Sequence, residues 1–410
     1  MRNALGTVGI LVVGLTGCAA QQPSTEPLAP PPPAEPPAAA LPESTEEVPA
    51  EPPPPPELTA EQKLERYKEC WAAFNAKDST KVAACYAENA TFELVDGGDA
   101  ALAGRSAILQ NDLEPPFAAF PDASAESLLT LQNGDRIASL AFMRGTHQGT
   151  LKTSRGELAP TNKKIALTVG HVVELAGGSV QRHLEYADQR TVLVQLGVLQ
   201  GTARKPVEPP AGERPVVVAS NADTEKANVE TFQKLTAAFN AHDAAAFEAL
   251  LADDVVLSEA SAAADRVGRK EVLKGQKEIW QGMSDSKIEH TSVWGAGDYV
   301  VATGTFTGTN DGPLPSWKVW NKTGKPVTLG LLEIAKLEGG KVKQHWVFTN
   351  GLAFAQQLGI LPPEKKPAAA KSAPAATPAQ PMSDVSSATG TQSQAPKVAP
   401  PAAPPRPAAQ

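Results

Sequence analysis

An internal repeat constrains the fold of this chain more than any other feature of its sequence. A helix-like segment at 72–78 recurs at 237–243 with only one substitution. Further matches follow in the same order along both copies, and 163 positions separate His147 from its counterpart Asn310. Self-similarity at a nearly constant period indicates repeated structural units. The sequence therefore predicts two copies of one domain.

Each copy has helix-like segments first and strand-like segments later. Apolar residues recur at helical spacing from Leu64 to Phe74, and the second copy contains four strand-like stretches between residues 287 and 350. The glycine pairs Gly177–Gly178 and Gly339–Gly340 fit two-residue hairpin turns. This order predicts an α+β fold in which the N-terminal helices pack on one face of a curved antiparallel sheet.

Repeat and composition together divide the chain into six segments. We assign residues 1–17 to a signal peptide, 18–57 to a proline-rich stalk, 58–200 to domain 1, 201–221 to a linker, 222–362 to domain 2 and 363–410 to an Ala/Pro-rich tail. Proline contributes 38 of the 410 residues and is concentrated toward the ends of the chain. Segments of this composition bury too little apolar area to fold, so we expect disorder in the stalk, the linker and the tail.

The N-terminus has the features of an export signal. An apolar run from Ala4 to Gly14 is too short to cross a bilayer as a mature helix but suits a secretory signal peptide. The following residues, Leu15 to Cys18, resemble the lipobox of bacterial lipoproteins. That resemblance implies that Cys18 is acylated and that the lipid bilayer is a partner of the protein, whereas the alternative is an ordinary signal peptide with a chance cysteine. Ala19 follows where many such proteins carry an inner-membrane retention aspartate, which favours the outer membrane of the cell envelope.

Composition argues against several other partners. The net charge is −8 at pH 7, so the chain lacks the basic surface that nucleic acid requires. No metal-ligand spacing, phosphate loop or nucleophile motif is present. We therefore expect no nucleic acid, no metal and no cofactor.

Two cysteines follow the one at the lipobox. Cys70 and Cys85 align with Leu235 and Leu250 of the second copy, so both are expected to face a core. Export would place them in an oxidising compartment, where a disulfide can form. The sequence leaves two alternatives, a Cys70–Cys85 disulfide or two buried thiols.

Several further motifs resemble the SnoaL-like polyketide cyclases, also called ester cyclases, of the nuclear-transport-factor-2-like superfamily. The motifs are Phe120-Pro121-Asp122, Gly134-Asp135-Arg136, the segment from Arg144 to Gly149, and the ending from His183 through Asp188 to Gly197, with counterparts in the second copy. The resemblance covers most of each repeat and implies two cone-shaped domains, each with a largely apolar pocket. It also implies an acid or base at Asp188, assisted by His147.

Strand alternation places Asp188 on one face with Leu184 and Tyr186. This row is apolar apart from Asp188, as expected of a pocket wall or a core. Partial desolvation would raise the pKa of Asp188 and suit it to proton transfer. The alternative is that Asp188 caps the C-terminal helix.

The second copy replaces both candidate catalytic groups, with Asn310 for His147 and Asn350 for Asp188. An amide cannot act as a general base, so domain 2 is expected to be degenerate, serving as a ligand-binding or structural half that packs on domain 1 as an intramolecular pseudo-dimer. The expected ligand-pocket residues are Leu184, Tyr186, Met143, Phe306, Asn310, Trp346, Phe348 and Asn350. His183 and His345 lie on the opposite strand face, which we assign to surface or interdomain packing. His171, which aligns with Glu333, is interpreted as an ordinary sheet residue.

Two functional hypotheses follow. The first is an envelope lipoprotein whose tandem domains bind a small apolar ligand or act as a non-catalytic interaction module. The second is a cofactor-independent acid/base cyclase or isomerase that uses Asp188 and His147 of domain 1. They differ in whether these two side chains open onto one shared pocket.

Overall fold

The computed structural model describes residues 58–361, except residues 154–155 and 210. The predicted signal peptide, the lipidation site Cys18, the stalk and the Ala/Pro-rich tail lie outside the described residues. The two repeats belong to one compact unit. None of the helices that the structure describes is long and apolar enough to span a membrane.

Domain 1 begins with helices and continues with strands, as the sequence predicts. Its helices are α1 (Ala60–Asn75), α2 (Ser79–Ala84), α3 (Arg105–Ile108), α4 (Glu114–Ala119) and α5 (Gln189–Gln195), with a π-helical turn at Leu109–Leu113 between α3 and α4. Its strands are β1 (Tyr86–Leu94), β2 (Leu102–Ala103), β3 (Ser124–Asn133), β4 (Arg136–Thr146), β5 (Leu151–Thr153), β6 (Gly156–Leu158), β7 (Lys164–Ala176) and β8 (Ser179–Tyr186).

Domain 2 repeats this order with a simpler third helix. Its helices are α6 (Asp223–Asn240), α7 (Ala244–Ala249), α8 (Arg269–Gly282) and α9 (Gly351–Gln357), with a 3₁₀ turn at Pro315–Trp317. Its strands are β10 (Leu251–Glu259), β11 (Arg266–Val267), β12 (Lys287–Ala296), β13 (Tyr299–Thr309), β14 (Pro326–Glu338) and β15 (Lys341–Phe348), preceded in the linker by β9 (Val216–Val218).

Each domain builds one main sheet, and β5 and β6 form a separate two-stranded sheet in domain 1. The strand orders are β2-β1-β8-β7-β4-β3-β9 in domain 1 and β11-β10-β15-β14-β13-β12 in domain 2. The strands pair antiparallel except that β1 and β10 run parallel to β8 and β15, and β9 runs parallel to β3. The hairpins β7–β8 and β14–β15 turn at the predicted glycine pairs, whose four φ angles are all positive, between 55° and 80°. Glycine suits these turns because it adopts positive φ without a steric penalty.

The linker differs from the expectation of disorder. Val216, Val217 and Val218 form β9 and extend the sheet of domain 1 at its β3 edge. Three successive β-branched residues favour an extended backbone. Val217 also packs against the apolar residues between the two sheets, which gives this strand a burial gain that a free linker lacks.

Local signals fix the start of domain 1. The side chain of Thr59 accepts a hydrogen bond from the Gln62 amide, and the Gln62 side chain bonds the Thr59 amide in return, forming a capping box at the start of α1. Cys70 of α1 and Cys85 after α2 form a disulfide with a Cα–Cα distance of 6.0 Å. This confirms the first of the two alternatives for these cysteines.

One apolar cluster, which we call the interdomain cluster, joins the two sheets. Its buried members are Leu129, Leu131, Ala138, Leu140, Val172, Leu184 and Tyr186 from domain 1, and Trp294, Ala296, Tyr299, Val301, Leu332, Ile334 and Phe348 from domain 2. Trp346 packs against it. Four expected pocket residues, Leu184, Tyr186, Trp346 and Phe348, therefore pack between the domains, which corrects their assignment to a ligand pocket.

We expect Leu332→Ala to lower the free energy of unfolding by about 2–5 kcal/mol, because the truncation leaves a cavity in the interdomain cluster. Leu332 is fully buried, and its side chain lies directly over Gly170 of domain 1. The matched control is Val267→Ala, at a site 62% exposed, which should change stability by no more than about 0.5 kcal/mol. Denaturant unfolding of the full chain measures both, and equal losses would contradict the assigned role of the cluster.

Candidate functional site

Asp188 caps a helix and bonds to the other domain. Its carboxylate accepts hydrogen bonds from the Thr191 amide at 3.0 Å and the Thr191 hydroxyl at 2.5 Å, at the N-terminus of α5. The amide of Gly351 in domain 2 donates a third bond at 2.9 Å. Burial raises the pKa of Asp188, against the lowering effect of these bonds. All three donors hold the carboxylate in a structural position.

Asn350 has the equivalent place in domain 2. Its side-chain oxygen accepts from the Leu352 amide at 3.0 Å and so caps α9. Its Nδ2 donates to the carbonyl of Asp96 and to Oε1 of Gln189, both in domain 1 and both at 3.0 Å. The aspartate and the asparagine therefore perform corresponding tasks on either side of the domain contact.

His147 and Asn310 also share one structural role. Nδ1 of His147 accepts from the Thr161 amide at 3.1 Å, and Oδ1 of Asn310 accepts from the Thr323 amide at 2.8 Å. His147 is fully buried with its ring against Phe120, and burial lowers its pKa. The replacement of histidine by asparagine therefore keeps a side-chain acceptor for the backbone amide of the threonine.

The structure does not bring Asp188 and His147 into one pocket. Neither side chain, nor Asn310 or Asn350, lines the pocket of its domain in the described part of the chain. The expectation of a shared catalytic hollow is therefore wrong, as is the assignment of both asparagines to a pocket. The physical reason is that the sheet face of Leu184 and Tyr186 is covered by the other domain.

The helices cover the opposite face, and a pocket lies there in each domain. On β14, Leu331 and Glu333 face the pocket while Leu332 and Ile334 face the interdomain cluster. His345 on β15 points the same way as Glu333. The sequence predicted correctly which strand residues share a face but exchanged the pocket face of the sheet with the interdomain face. His183 and His345 line the pockets, which corrects their assignment to surface or interdomain packing.

The pocket of domain 2 is mostly apolar and has a volume of about 140 Å³. Phe306 lines it, in agreement with the sequence-based expectation. Further apolar walls come from Leu235, Phe239, Phe247, Leu257, Val272, Ile279, Ile288, Trp317, Leu329, Leu331, Val347 and Phe354. Its polar members are Thr236, Glu259, Ser261, Gln276, Glu333, His345 and Thr349.

A buried carboxylate stands at the sheet side of this pocket. Oε2 of Glu333 lies 2.7 Å from Nε2 of His290, and Oε1 lies 3.0 Å from Nε2 of His345. Although burial raises the pKa of Glu333, the two histidines outweigh it and hold the pKa at about 2. Glu333 is therefore an ionised group at neutral pH. Its domain 1 counterpart, His171, also lines a pocket, which corrects the interpretation of His171 as an ordinary sheet residue.

Two buried donors of this pocket lack partners. Nε2 of His345 is close to Glu333 but poorly aligned for a hydrogen bond, and Nε2 of Gln276 has no acceptor. Both residues line the pocket. Buried polar groups are nearly always hydrogen-bonded, so unpaired donors facing an apolar pocket mark a place for a ligand acceptor.

The pocket of domain 1 is smaller, about 80 Å³, and more polar at its sheet side. Met143 lines it as expected, together with the Cys70–Cys85 disulfide. The other lining residues are Tyr67, Trp71, Phe74, Val82, Tyr86, Asp112, Leu113, His171, Val173, Val180, His183 and Glu185.

A hydrogen-bonded row crosses the sheet side of the domain 1 pocket. Tyr86 Oη lies 2.6 Å from Nδ1 of His183, whose Nε2 lies 2.9 Å from Nδ1 of His171. Burial raises the pKa of Glu185 to about 7, and burial with the nearby Glu185 carboxyl raises the pKa of Asp112 well above its ordinary value. The sequence interpretation missed this row, although the recurrence of His183 as His345 was a signal for it.

Several solved structures are similar to about one third of this chain. They include a SnoaL-like polyketide cyclase from Jannaschia sp. CCS1, with 21% identity over 34% of this chain and 97% of that chain and a TM-score of 0.32. They also include AclR from Streptomyces galilaeus, described as a hydroxylase, with 23% identity over 35% and 87% and a TM-score of 0.31. IdmH from Streptomyces antibioticus, described as a polyketide cyclase, has 21% identity over 32% and 98% and a TM-score of 0.29.

No curated protein sequence matches the chain significantly. The family of SnoaL-like polyketide cyclases matches it twice, at residues 61–196 and 229–358. These two segments include most of both repeats. The chain therefore belongs to the SnoaL-like polyketide cyclase family and carries two of its domains in tandem.

Proposed function

We propose that this protein is a lipid-anchored envelope protein whose domain 2 binds a small apolar molecule carrying a hydrogen-bond acceptor. The observation that carries this proposal is the apolar pocket of domain 2 with two unpaired buried donors, His345 and Gln276. Ligand sites in proteins combine an apolar lining with a few placed polar groups.

The size of the pocket limits the ligand. Its volume of about 140 Å³ is close to that of an engineered apolar cavity of about 150 Å³ that binds benzene. Phe239, Phe306 and Trp317 contribute aromatic surface to the wall. A single ring with one small polar substituent matches this volume and lining.

The unpaired donors define the polar end of the ligand. A buried donor without an acceptor costs about 1–3 kcal/mol. A carbonyl or hydroxyl oxygen placed between His345 and Gln276 would recover this loss on binding. Glu333 lies behind the site, with its two oxygens 2.7 Å from Nε2 of His290 and 3.0 Å from Nε2 of His345.

The same electrostatics favour binding over proton transfer in domain 2. A general base works best when its pKa lies near the operating pH, and the pKa of Glu333 is about 2. The carboxylate is therefore ionised but only weakly basic. In domain 1, Asp188 and His147 serve structural bonds, so the earlier enzyme hypothesis loses its two catalytic groups.

The proposed anchor rests on the sequence. The apolar run before Cys18 and the lipobox-like residues around it support acylation, and several acyl chains hold a protein at a bilayer without a membrane-spanning helix. We place the protein in the cell envelope, at the outer membrane rather than the inner. The two domains would act there as an intramolecular pseudo-dimer on a proline-rich stalk.

Benzaldehyde should bind the full-length chain more tightly than toluene, because only the aldehyde offers an acceptor to the two donors. Gln276→Leu should weaken benzaldehyde binding about tenfold, the worth of one hydrogen bond, and leave toluene binding nearly unchanged. Ligand-observed NMR titration measures both affinities.

Gln356→Leu is the matched control, since Gln356 also has an unpartnered buried amide but does not line the pocket. Its affinities for both compounds should equal those of the wild type. Equal affinity of the wild type for benzaldehyde and toluene, or no saturable binding of either, would remove the proposed ligand class.

The protonation of Glu333 predicts a specific acid sensitivity. Its folded-state pKa of about 2 is below the ordinary 4.5, so its stabilising effect is complete above pH 4.5 and is lost as the pH falls toward 2. The free energy of unfolding of the wild type should therefore fall by about 3 kcal/mol more than that of Glu333→Gln between pH 5 and pH 2. Denaturant unfolding at several pH values measures this difference, and parallel pH profiles would contradict it.

Cys18→Ser should abolish the incorporation of labelled palmitate and move the chain from the membrane fraction to the soluble fraction. The reason is that Cys18 supplies the thiol that the proposed acylation requires. Metabolic labelling with fractionation of a bacterial expression host measures both effects. A serine variant that still carries label in the membrane fraction would rule out this anchor.

A further inference from the structure

The pocket of domain 1 brings together a set of side chains that the proposed function does not use. Nδ1 of His171 lies 2.9 Å from Nε2 of His183 and 3.8 Å from Oε2 of Glu185. One ligand atom from each of the three residues lies within 4.8 Å of the others. Donor atoms around a tetrahedral zinc ion are about 3.3 Å apart, so these spacings fit a common metal ion after small side-chain movements.

Two carboxylates in this pocket have no hydrogen-bonding partner. Glu185 and Asp112 both line it, and no donor in the described part of the chain lies within hydrogen-bonding distance of either carboxylate. In domain 2, by contrast, each oxygen of Glu333 lies within 3.0 Å of a histidine Nε2. The side chain of Glu185 is 22% exposed, and a partly desolvated carboxylate without a donor gains from a bound cation.

The surroundings of the two histidines also fit metal ligation. Tyr86 Oη lies 2.6 Å from Nδ1 of His183, and a donated Nδ1–H leaves the Nε2 lone pair directed toward His171 and Glu185. Such an outer partner orients nearly every metal-binding histidine. His171 is only 2% exposed, and its ring is held edge-to-face against Trp71 with the centroids 5.1 Å apart.

The backbone that presents Asp112 is unusual. Asp112 lies in the π-helical turn at Leu109–Leu113, whereas α8 of domain 2 continues as a regular helix through the equivalent position. Single π-helical turns occur frequently at functional sites. This turn directs Asp112 toward the pocket that contains Glu185.

Domain 2 retains only one member of the set. Glu333 replaces His171, Val347 replaces Glu185 and Gln276 replaces Asp112, while His183 is retained as His345. The two domains have therefore diverged at three of these four positions. Domain 2 also places two histidines, His290 and His345, beside one carboxylate, but His290 is not at an equivalent position.

From this geometry we propose that domain 1 binds one divalent transition-metal ion through His171, His183 and Glu185, with Asp112 lining the same pocket. Imidazole nitrogen and carboxylate oxygen donors suit ions of the zinc, cobalt and iron(II) class. The sequence contained no signal for this site because the pairing of β7 with β8, and not a spacing along the chain, brings His171 beside Glu185 and His183.

The test is a titration of the untagged full-length chain, stripped of metal by dialysis against a chelator, with Zn²⁺ in a calorimeter. One Zn²⁺ should bind per chain. Glu185→Gln and His183→Gln should each weaken binding at least 100-fold, and Tyr86→Phe should weaken it about 10- to 100-fold through loss of the outer partner. His242→Gln is the matched control, because His242 lies outside both pockets, and it should bind Zn²⁺ as the wild type does.

A second measurement separates metal ligation from loss of the fold. The far-UV circular dichroism of each metal-free variant should match the wild type, and Zn²⁺ should raise the Tm of the wild type but not of Glu185→Gln. If His183→Gln does not fold, Glu185→Gln decides the question because it keeps the shape of the side chain. Absence of stoichiometric binding, or binding that all pocket variants retain, would overturn the proposal and indicate adventitious surface binding at most.

Discussion

The apolar contact between the two sheets is the constraint on which the rest of this structure depends. It buries one face of each sheet against the other domain, through residues such as Leu140, Leu332 and Phe348. The helices must then cover the opposite faces, and the two pockets lie between helices and sheet. The position of both candidate sites is thus decided by the packing of one repeat on the other.

The domain contact also explains why an ionisable side chain is buried without being catalytic. Asp188 caps α5 and accepts the amide of Gly351, and Asn350 caps α9 and donates to domain 1. The N-terminal ends of two helices therefore approach each other, and the Gly351 amide of α9 donates to Asp188 while Asn350 donates to Gln189 of α5. Negative charge near a helix N-terminus is stabilised by the helix dipole, which offsets part of the burial that raises the pKa of Asp188.

Much of the fold followed from local patterns in the sequence. The glycine pairs, the four strands of the second copy and the core-facing positions of Cys70 and Cys85 each depend on a periodicity or turn preference that neighbouring residues set. These local patterns could not show which face of the sheet lines the pocket and which packs on the other domain. Both faces are apolar because both are buried, so the alternation that grouped Leu184 with Tyr186 could not show which partner covers them.

The two pockets show how one scaffold can acquire different chemistry by changes at a few strand positions. An exchange of His171 for Glu333 puts a carboxylate where domain 1 has an imidazole, and Val347 in place of Glu185 removes an acid on the next strand. Domain 2 has a larger, mostly apolar pocket with two histidines beside one carboxylate, whereas domain 1 has two histidines beside Glu185 and Asp112. Because these exchanges lie on the sheet face opposite the interdomain cluster, each pocket could change without loss of the domain contact.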